Sequence, residues 1–370
     1  MLHPIPAITD RRIRIALIGC GRISSNHIRA IASHHERAEL TAICDSQPER
    51  LELAEQLIKE AAAEYPGAAT KPKHFSCYNE LLSAVHDITT PVDLVVLATP
   101  SGLHPSQVIA AAEAGLHVCT EKPMATRWAD GVAMVKACDQ ANVRLFVVKQ
   151  NRFNSTLQLV KRQLQAGRFG KLAMVVVNVF WQRPQSYYNQ DGWRGTWEFD
   201  GGALMNQASH YVDLLDWLVG PVESVSASTA TIGRDIEVED TAALQLRWRN
   251  GALGTMAVTM LTYPKNLEGS ITLLGETGTV KIGGQAVNKI EHWAFADQSP
   301  DDAEVEQANY TTSCVYGFGH PPYYTNVLDA LQGKAEAQCD GREGLKSLEL
   351  LIGAYRSARD GRVVHLPLEY

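Results

Sequence analysis

The chain has 370 residues, enough for two or three domains of roughly 150 residues each. Hydrophobic residues make up 45% of it and charged residues 20%, values typical of soluble globular proteins. With 41 acidic and 34 basic residues the formal net charge is −7, which argues against a protein that coats nucleic acid. No run approaches about 18 uninterrupted apolar residues, and residues 1–18 lack the long apolar stretch of a secretory signal. We therefore expect a cytoplasmic protein with no membrane segment and no nucleic-acid partner.

The seven cysteines are odd in number and widely spaced, and they form no Cys-x-x-Cys motif. This pattern argues against a disulfide framework or a zinc ribbon and favours buried, reduced thiols. The adjacent histidines His34 and His35 have a spacing that favours an exposed helix surface over a pair of metal ligands. We therefore expect no metal site.

Residues 1–150 alternate between short apolar runs and helical patterns. The predicted strands cover residues 14–18, 39–44, 92–98, 116–120 and 143–148. The predicted helices cover residues 25–34, 48–65, 105–114 and 127–141. Continuously apolar strands that alternate with helices indicate a parallel sheet covered on both faces, and hence a doubly wound α/β domain.

Residues 151–370 have a different pattern, with longer runs in which apolar and polar residues partly alternate. These runs cover residues 171–182, 222–232, 241–249, 252–261 and 270–282. Asn250-Gly251 is a strong two-residue hairpin signal between two of them, and Thr277-Gly278 marks another turn. Helical patterns cover residues 156–165, 209–218, 324–331 and 341–359. We expect an α+β domain built on an antiparallel or mixed sheet.

A glycine-containing segment, Gly19-Cys20-Gly21-Arg22-Ile23-Ser24, joins the first predicted strand to the first predicted helix. Gly19 permits a tight turn, Gly21 lets a pyrophosphate approach the main chain, and the helix N-terminus attracts the anion. Ser24 replaces the third glycine of the full fingerprint and is small enough for close packing of helix on strand. A strand before the loop, a helix after it and an acid after the next strand are the context that a dinucleotide-binding loop requires. The loop, including Arg22 and Ile23, is therefore predicted to bind a dinucleotide.

Asp45 is that acid, directly after the second predicted strand. Its carboxylate would accept hydrogen bonds from both hydroxyls of the adenosine ribose and would repel a 2′-phosphate. NAD is therefore predicted as the cofactor rather than NADP. The alternative interpretation is an Asp that caps the helix beginning at Pro48.

Two further loops follow predicted strands at the carboxyl edge, where doubly wound sheets bind their ligands. They are Thr99-Pro100-Ser101 and Glu121-Lys122-Pro123, and both are predicted to contact the cofactor. Lys122 is placed to reach a bound cofactor, although most lysines are simply solvated at the surface. His104 also belongs to the predicted cofactor set, but its place at a helix start favours capping over substrate contact.

A polar stripe is predicted around residues 206–213. On one helix, Asn206, His210 and Asp213 lie at i, i+4 and i+7, so their side chains share one face. Polar groups in an otherwise apolar region indicate a site. A buried histidine satisfied by its neighbours is the ordinary alternative.

The Gly-x-Gly turn, Glu121-Lys122-Pro123, and Gly201-Gly202 with a downstream His210-x-x-Asp213 resemble the glucose–fructose oxidoreductase/inositol dehydrogenase family. The resemblance covers essentially the whole chain. It implies a Rossmann domain followed by an α+β domain with a large open, mainly antiparallel sheet, whose exposed face is often used for oligomerisation.

Residues 146–152, 193–202, 261–269 and 315–321 further resemble one subgroup of that family. Its members are NAD-dependent dehydrogenases that oxidise C3 of UDP-N-acetyl-2-amino-2-deoxy-D-glucuronate (UDP-GlcNAcA). They serve bacterial surface polysaccharide synthesis, in the diacetamido-mannuronate branch of O-antigen. The subgroup resemblance also implies a homotetramer.

The resemblance implies that Lys122 and His210 form the acid–base pair for oxidation of a secondary alcohol. We expect His210 to act as the base and Lys122 to polarise the oxygen, with the reverse assignment open. The family pattern has Asp where this chain has Asn206. An amide can orient an imidazole or bind a hydroxyl, but it cannot offset imidazolium charge, which makes Lys122 a stronger rival as the base.

A UDP-sugar acid carries a diphosphate and a carboxylate, so the protein must supply cations and hydrogen-bond donors to bind it. The candidate cations are Arg152, Arg183, Arg194 and Lys265. The candidate hydrogen-bonding partners are Asn151, Tyr263, Asn266, Tyr316 and His320. Each of them alone is equally consistent with an ordinary surface or interface residue.

Three other functions fit the same residues. They are an NAD-dependent glycosidase that oxidises C3 transiently, a dehydrogenase of another sugar or polyol, and a dinucleotide-sensing regulator. Net accumulation of NADH separates a dehydrogenase from the glycosidase, and the regulator is disfavoured because Lys122 and His210 are both present. The sequence leaves open whether NADH is released or is reoxidised in place by a 2-oxo acid.

Overall fold

The computed structural model describes residues 5–87, 89–312 and 316–368, which form two compact units. The first unit combines residues up to Val148 with His320–Leu345, and the second combines Lys149–Gly319 with the residues from Lys346 onward. The sequence-based division differs in one segment, because it placed all of residues 151–370 in the second domain. Residues 320–345 join the first unit because their apolar side chains, such as Tyr323 and Tyr324, are buried there.

The first unit contains a parallel sheet of six strands. They are β1 (Ile13–Ile18), β2 (Ala38–Cys44), β3 (Lys73–Phe75), β4 (Leu94–Leu97), β5 (His117–Thr120) and β6 (Leu145–Val147). Their order in the sheet is β3-β2-β1-β4-β5-β6, and each neighbouring pair is parallel. The doubly wound sheet predicted from the sequence is thus confirmed. The order reverses between β1 and β4, which is where such sheets open a crevice for ligands.

Helices flank these strands along the chain. They are α1 (Ser24–Ala32), α2 (Pro48–Glu64), α3 (Tyr78–His86), α4 (His104–Glu113) and α5 (Trp128–Gln140). Pro48 occupies the first turn of α2, where its missing N–H costs nothing. β3 and α3 were not predicted from the sequence. β3 has three residues, all exposed or half-buried, so it carries no apolar run.

The second unit contains an eight-stranded sheet. Its strands are β7 (Leu172–Phe180), β8 (Val222–Ala230), β9 (Thr241–Trp248), β10 (Leu253–Thr259), β11 (Glu268–Gly275), β12 (Gly278–Gly283), β13 (Lys289–Phe295) and β14 (Val364–His365). Their order is β13-β12-β11-β7-β10-β9-β8-β14, and only β7 and β10 are parallel neighbours. The predicted, mainly antiparallel sheet is confirmed. β9 alternates between buried and exposed residues, so one face of the sheet is covered.

Asn250-Gly251 forms the predicted hairpin between β9 and β10, with Gly251 at φ +90°. The remaining helices are α6 (Ser155–Gln165), α7 (Gln185–Tyr188), α8 (Ser209–Val219), α9 (Val305–Ala308), α10 (His320–Leu331) and α11 (Gly341–Asp360). Short 3-10 turns cover Ser101–Leu103, Gln150–Phe153 and Pro300–Glu304. No helix within the described ranges has the length and apolar character needed to cross a membrane.

The described cysteines agree with the prediction of reduced thiols. Six are described without a disulfide among them, and all but Cys77 are buried. Burial raises the pKa of Cys20, Cys44, Cys119 and Cys138 to about 12, which keeps these thiols protonated and unreactive. Cys314 lies outside the described residues.

Candidate active site

The loop after β1 has the geometry of a dinucleotide-binding turn. A Cβ on Gly19, at φ +90°, would lie 2.6 Å from the Ala98 carbonyl oxygen, so only glycine fits this turn. A Cβ on Gly21 would meet only the Arg50 guanidinium, at 3.6 Å. Ser24 is fully buried at the start of α1, and its hydroxyl donates to the Gly21 carbonyl oxygen at 2.6 Å.

The N-terminus of α1 offers main-chain donors to an anion. Its N-cap residue, Ile23, makes no side-chain capping hydrogen bond, and the first turn carries no acidic residue. Arg22, just before it, is exposed. The free N–H groups and the positive end of the helix dipole are the features that bind phosphate groups in proteins.

Asp45 lies directly after β2 and is only 8% exposed. Its Oδ2 accepts the Cys20 N–H at 2.8 Å, and its Oδ1 accepts the Gln47 N–H at 2.9 Å. The second bond forms a local turn before α2, whose N-cap residue is Gln47, so it does not cap a helical N–H group. The first bond ties the carboxylate to the glycine loop. Each oxygen retains a second lone pair for a ribose hydroxyl.

His104 connects the loops that follow β4 and β5. It is 1% exposed, with Nε2 3.0 Å from the Thr99 carbonyl oxygen and Nδ1 3.0 Å from the Pro123 carbonyl oxygen. Burial lowers the pKa of His104, so the neutral ring has one N–H and donates to one of these two carbonyl oxygens. Its place in the predicted cofactor set stays a prediction. The Thr99 hydroxyl donates to Gln107 Oε1 at 2.6 Å, and Ser101 is buried beside Pro100 in a 3-10 turn.

Glu121, directly after β5, is a buried carboxylate. Burial by itself would raise its pKa, but the hydrogen bond with His27 and the nearby Lys122 lower the pKa to about 2. Its Oε2 accepts the Lys122 N–H at 3.1 Å. Glu121 is therefore ionised at neutral pH and lies next to Lys122, a half-buried residue.

The second unit carries the predicted polar stripe in a modified form. The helix α8 begins only at Ser209, so Asn206 lies in the preceding turn and not on a helical face shared with His210 and Asp213. The glycine pair before Asn206 and the turn over residues 203–207 delay the helix start. The Asn206 amide donates to Asp200, whose other oxygen accepts the Gly195 N–H at 2.7 Å. His210 and Asp213 lie on α8 at i and i+3, and both are buried.

Asp213 is the centre of a buried ion cluster. Its carboxylate oxygens lie 2.8 and 2.7 Å from Arg152 Nε and Nη2, and Oδ1 lies 3.0 Å from Lys149 Nζ. Burial opposes ionisation, but the two cations lower the pKa of Asp213 to about 2. Arg152 is 3% exposed. Arg152 is thus an ion-pair partner of Asp213 through Nε and Nη2, and its role as a substrate cation stays a prediction.

A second buried carboxyl group, Glu239, holds the turn that carries Asn206. Its Oε1 accepts the Leu204 N–H at 2.8 Å and the Tyr355 hydroxyl at 2.9 Å. A Cβ on Gly202 would lie 1.7 Å from Glu239 Oε2, so the second glycine of the pair makes room for this carboxyl group. Oε2 is buried without a hydrogen-bond partner among the described residues. Burial, assisted by the negative Asp200, raises the pKa of Glu239 to about 7.

Two predicted substrate cations flank one aromatic ring. The Cζ atoms of Arg183 and Arg194 lie 5.5 and 4.5 Å from the centre of the Tyr187 ring. Arg194 also donates to the Tyr187 hydroxyl at 2.8 Å, and Arg183 donates to Asn266 Oδ1 at 3.3 Å. Planar guanidinium groups held beside aromatic rings suit recognition of phosphate, carboxylate or a base.

The other predicted substrate residues come from several segments of the chain, and their role stays a prediction. Tyr263 is 94% exposed, and Lys265 is exposed in the same loop between β10 and β11. Asn151 is buried, and its Oδ1 has no hydrogen-bond partner among the described residues. Tyr316 is half-buried. His320 lies in the first unit, 3% exposed, with its ring 5.6 Å from the His27 ring.

Comparison with protein families decides the relationship. A model of the GFO/IDH/MocA oxidoreductase family, NAD-binding Rossmann fold, matches residues 13–149, and its C-terminal alpha/beta domain matches residues 161–366. The chain belongs to the GFO/IDH/MocA oxidoreductase family. The family resemblance and the NAD-binding Rossmann domain expected from the sequence are confirmed. Within the described residues, no group of three or more His, Cys, Asp or Glu side chains is placed to hold a metal.

Solved structures similar to this chain include two dehydrogenases of the family. The WlbA dehydrogenase from Bordetella pertussis, in complex with NADH and UDP-GlcNAcA, is 62% identical, with a TM-score of 0.90, over 98% of this chain and 100% of that one. The WlbA dehydrogenase from Chromobacterium violaceum, also with NADH and UDP-GlcNAcA, is 58% identical, with a TM-score of 0.88, over 99% of each chain. D-Apiose dehydrogenase from Paraburkholderia graminis is 28% identical over 97% of this chain and 91% of that protein.

Several polar residues of the site escaped the sequence analysis. Lys149, Asp200 and Glu239 are buried, but nothing in their immediate sequence shows which partner they meet. Their contacts join residues 6 to 198 positions apart. The Gly201-Gly202 pair is the one local signal, because two glycines before a polar turn indicate a close approach by another side chain.

We expect Glu239→Gln to change how stability depends on pH. The folded protein retains the Glu239 proton up to a pKa of about 7, whereas the unfolded chain releases it near 4.5. The free energy of unfolding of the wild type should therefore fall relative to Glu239→Gln as pH rises from 4.5 to 7. The total change corresponds to about 3 kcal/mol. Denaturant unfolding of both proteins between pH 4.5 and 8 measures this change. If the free energies of unfolding of the two proteins depend on pH in the same way, the raised pKa of Glu239 is contradicted.

Proposed function

We propose that this chain is an NAD-dependent dehydrogenase that oxidises the C3 hydroxyl of UDP-GlcNAcA to the 3-keto sugar. The observation that carries the proposal is the 62% identity to a dehydrogenase whose structure contains NADH and UDP-GlcNAcA. It extends over 98% of this chain, so it includes both units. Lys122 and His210 support the same reaction. So do Arg183 and Arg194, which lie beside the Tyr187 ring.

The residues of the first unit suit NAD. The open space at Gly21, the uncapped N-terminus of α1 and the carboxylate of Asp45 supply the three features that the cofactor needs. Thr99, Pro100, Ser101 and Glu121 belong to the loops at the same sheet edge. When bound, NAD supplies the acceptor for the C3 hydride.

The acid–base roles follow from charge. We assign His210 as the base that takes the hydroxyl proton and Lys122 as the cation that stabilises the developing alkoxide. The ionised Glu121 beside Lys122 favours the ammonium form of the lysine. The hydrogen bond from the Asn206 amide to Asp200 fixes the orientation of that side chain.

Asp45 is expected to set the preference for NAD. Both Asp45→Ala and Asp45→Asn should raise the Michaelis constant for NAD about 10- to 100-fold, since each removes charge-assisted hydrogen bonds to the ribose. The preference for NAD over NADP should narrow in both variants, because the negative charge that repels the 2′-phosphate of NADP is gone. Asp45→Asn keeps an acceptor for the Gln47 N–H, so it separates this effect from loss of the turn. Unchanged constants for both cofactors would contradict the assignment.

The position of oxidation is tested with UDP-GlcNAcA deuterated at C3. The proposal predicts transfer of the deuterium to the nicotinamide ring, detected by mass spectrometry, and an intact bond between sugar and UDP. Retention of deuterium in the sugar would contradict C3 oxidation. Release of free UDP without a keto sugar would indicate the glycosidase.

We further propose that the protein is a cytoplasmic homotetramer that acts in lipopolysaccharide O-antigen biosynthesis. The support is the resemblance of residues 146–152, 193–202, 261–269 and 315–321 to the subgroup described above. Light scattering of the purified protein tests the tetramer, and a mass of about one or two chains would contradict it. Loss of the O-antigen ladder on deletion of the gene tests the biosynthetic role.

A further inference from the structure

Three buried polar side chains in the first unit form a hydrogen-bonded series that leads to Lys122. Glu121 Oε1 is 3.2 Å from His27 Nε2, and His27 Nδ1 is 2.8 Å from the Tyr324 hydroxyl. His27 and Tyr324 are fully buried, and Glu121 is 8% exposed. The three residues come from α1, the end of β5 and α10, so the series joins three elements.

The hydrogen bonds of this series have one direction. An ionised carboxylate only accepts, so the proton on the Glu121 side of the imidazole belongs to His27 Nε2. Burial raises the pKa of Tyr324 well above its ordinary value, so the phenol keeps its proton. His27 Nδ1 is the one hydrogen-bond partner described for this phenol, which therefore donates to it. An imidazole that donates from Nε2 and accepts at Nδ1 satisfies all three groups.

The series of hydrogen bonds from Tyr324 through His27 and Glu121 ends at Lys122. Glu121 Oε2 accepts the Lys122 N–H at 3.1 Å, so the carboxylate that His27 holds also fixes the main chain of the lysine. The attraction between the Glu121 and Lys122 charges acts in both directions. If Glu121 were protonated, one of its oxygens would become a donor and the lysine would lose its counter-charge.

We propose that His27 and Tyr324 are positioning residues that keep Glu121 as an anion beside Lys122 and thereby fix the main chain and the charge of that lysine. This inference rests on the proposed function, in which Lys122 stabilises the alkoxide. The other titratable groups near Glu121 come from several elements. They are His104 of α4, Cys119 of β5, and His320 of α10.

The test compares His27→Leu with His27→Gln, whose amide can still donate to Glu121. In His27→Leu, kcat for UDP-GlcNAcA oxidation at pH 6 should fall about 10- to 100-fold, which is the effect expected for loss of a hydrogen bond to a charged group. The acidic limb, which we assign to His210, should stay in place, because a Glu121 pKa raised by about one unit from about 2 is still far below pH 6. His27→Gln should stay within a few-fold of the wild type, and Tyr324→Phe should lie between the two.

His34→Leu is the matched control for packing. His34 lies just beyond the end of α1, and its Nε2 is 2.9 Å from the Thr325 hydroxyl, so it also joins α1 to α10. Its removal should leave kcat and the acidic limb unchanged. An equal loss of kcat in His34→Leu and His27→Leu would overturn the inference in favour of simple packing. A kcat of His27→Leu equal to that of the wild type would also overturn the inference.

A second measurement does not depend on the substrate. Glu121 has a depressed pKa, so its contribution to stability is lost as pH falls toward 2, and it should be lost at higher pH without His27. The midpoint of acid unfolding should therefore rise by about one pH unit in His27→Leu relative to His34→Leu. If the wild type fails to oxidise UDP-GlcNAcA, the proposed function fails, and equal midpoints would separately overturn the inference. Should His27→Leu not fold, Tyr324→Phe against the wild type serves in both measurements.

Discussion

His210→Asn and Lys122→Met are each expected to lower kcat by roughly 10²- to 10⁴-fold, the range that one positioned acid–base group contributes. The two variants should differ in their pH profiles. A base must be deprotonated to act, so activity falls at low pH, and this acidic limb should disappear in His210→Asn. It should persist in Lys122→Met, because the lysine acts through its charge.

A further comparison separates charge from proton transfer. Lys122→Arg keeps a cation at this position and should retain more activity than Lys122→Met, with the same acidic limb. The Kd for NADH should change less than kcat in both variants. Loss of the acidic limb in Lys122→Met but not in His210→Asn would reverse the two roles, and that outcome would contradict our assignment.

Asp213→Asn is expected to be the most destabilising single change, lowering the free energy of unfolding by about 3–5 kcal/mol. The substitution keeps the shape of the side chain but leaves Lys149 and Arg152 buried without their counter-charge. The two cations are 5% and 3% exposed, so water does not replace the carboxylate. Since α8 also carries His210, activity should fall together with stability.

The effect of Asp213→Asn should depend on pH in a defined direction. The pKa of Asp213 is lowered to about 2, so its contribution is complete above about pH 5 and is lost as pH falls toward 2. The control is Asp139→Asn, which removes an ion pair with the exposed Arg342 and should change stability little. Denaturant unfolding at pH 7 measures both, and equal effects would contradict the assignment of a buried cluster.

Much of the fold was predictable because it depends on local pattern. Continuous apolar runs mark the parallel strands, and β4, with four fully buried residues, is the clearest case. Asn250-Gly251 specifies its hairpin through the conformation of Gly251. β3 and β13 were missed. β3 has three residues with no buried one, β13 has one buried residue among seven, and both lie at edges of their sheets. Residues 320–345 join the first unit through contacts distant in sequence.

The candidate site likewise has features set by local sequence and features set by contacts distant in sequence. Gly19, Asp45 and Lys122 are found from the sequence because each follows a strand and its position depends on a few neighbouring residues. The contacts of Arg152 were not predictable, since its partner Asp213 lies 61 residues away. Tyr324 meets His27 across 297 residues, and only the folded chain shows that pairing. The helix of His210 was predicted from residue 209, where α8 begins, but the placement of Asn206 on that helix was wrong, because Asn206 lies in a turn that Glu239 holds.

The most direct test of the account is absorbance at the NADH band when the purified protein is mixed with NAD and UDP-GlcNAcA. UDP-N-acetylglucosamine, which lacks the carboxylate, is the control substrate, and a parallel reaction contains a 2-oxo acid. We predict formation of NADH, or consumption of the 2-oxo acid when it is present, with UDP-GlcNAcA and not with the control. No turnover of UDP-GlcNAcA in either reaction would contradict the proposed function.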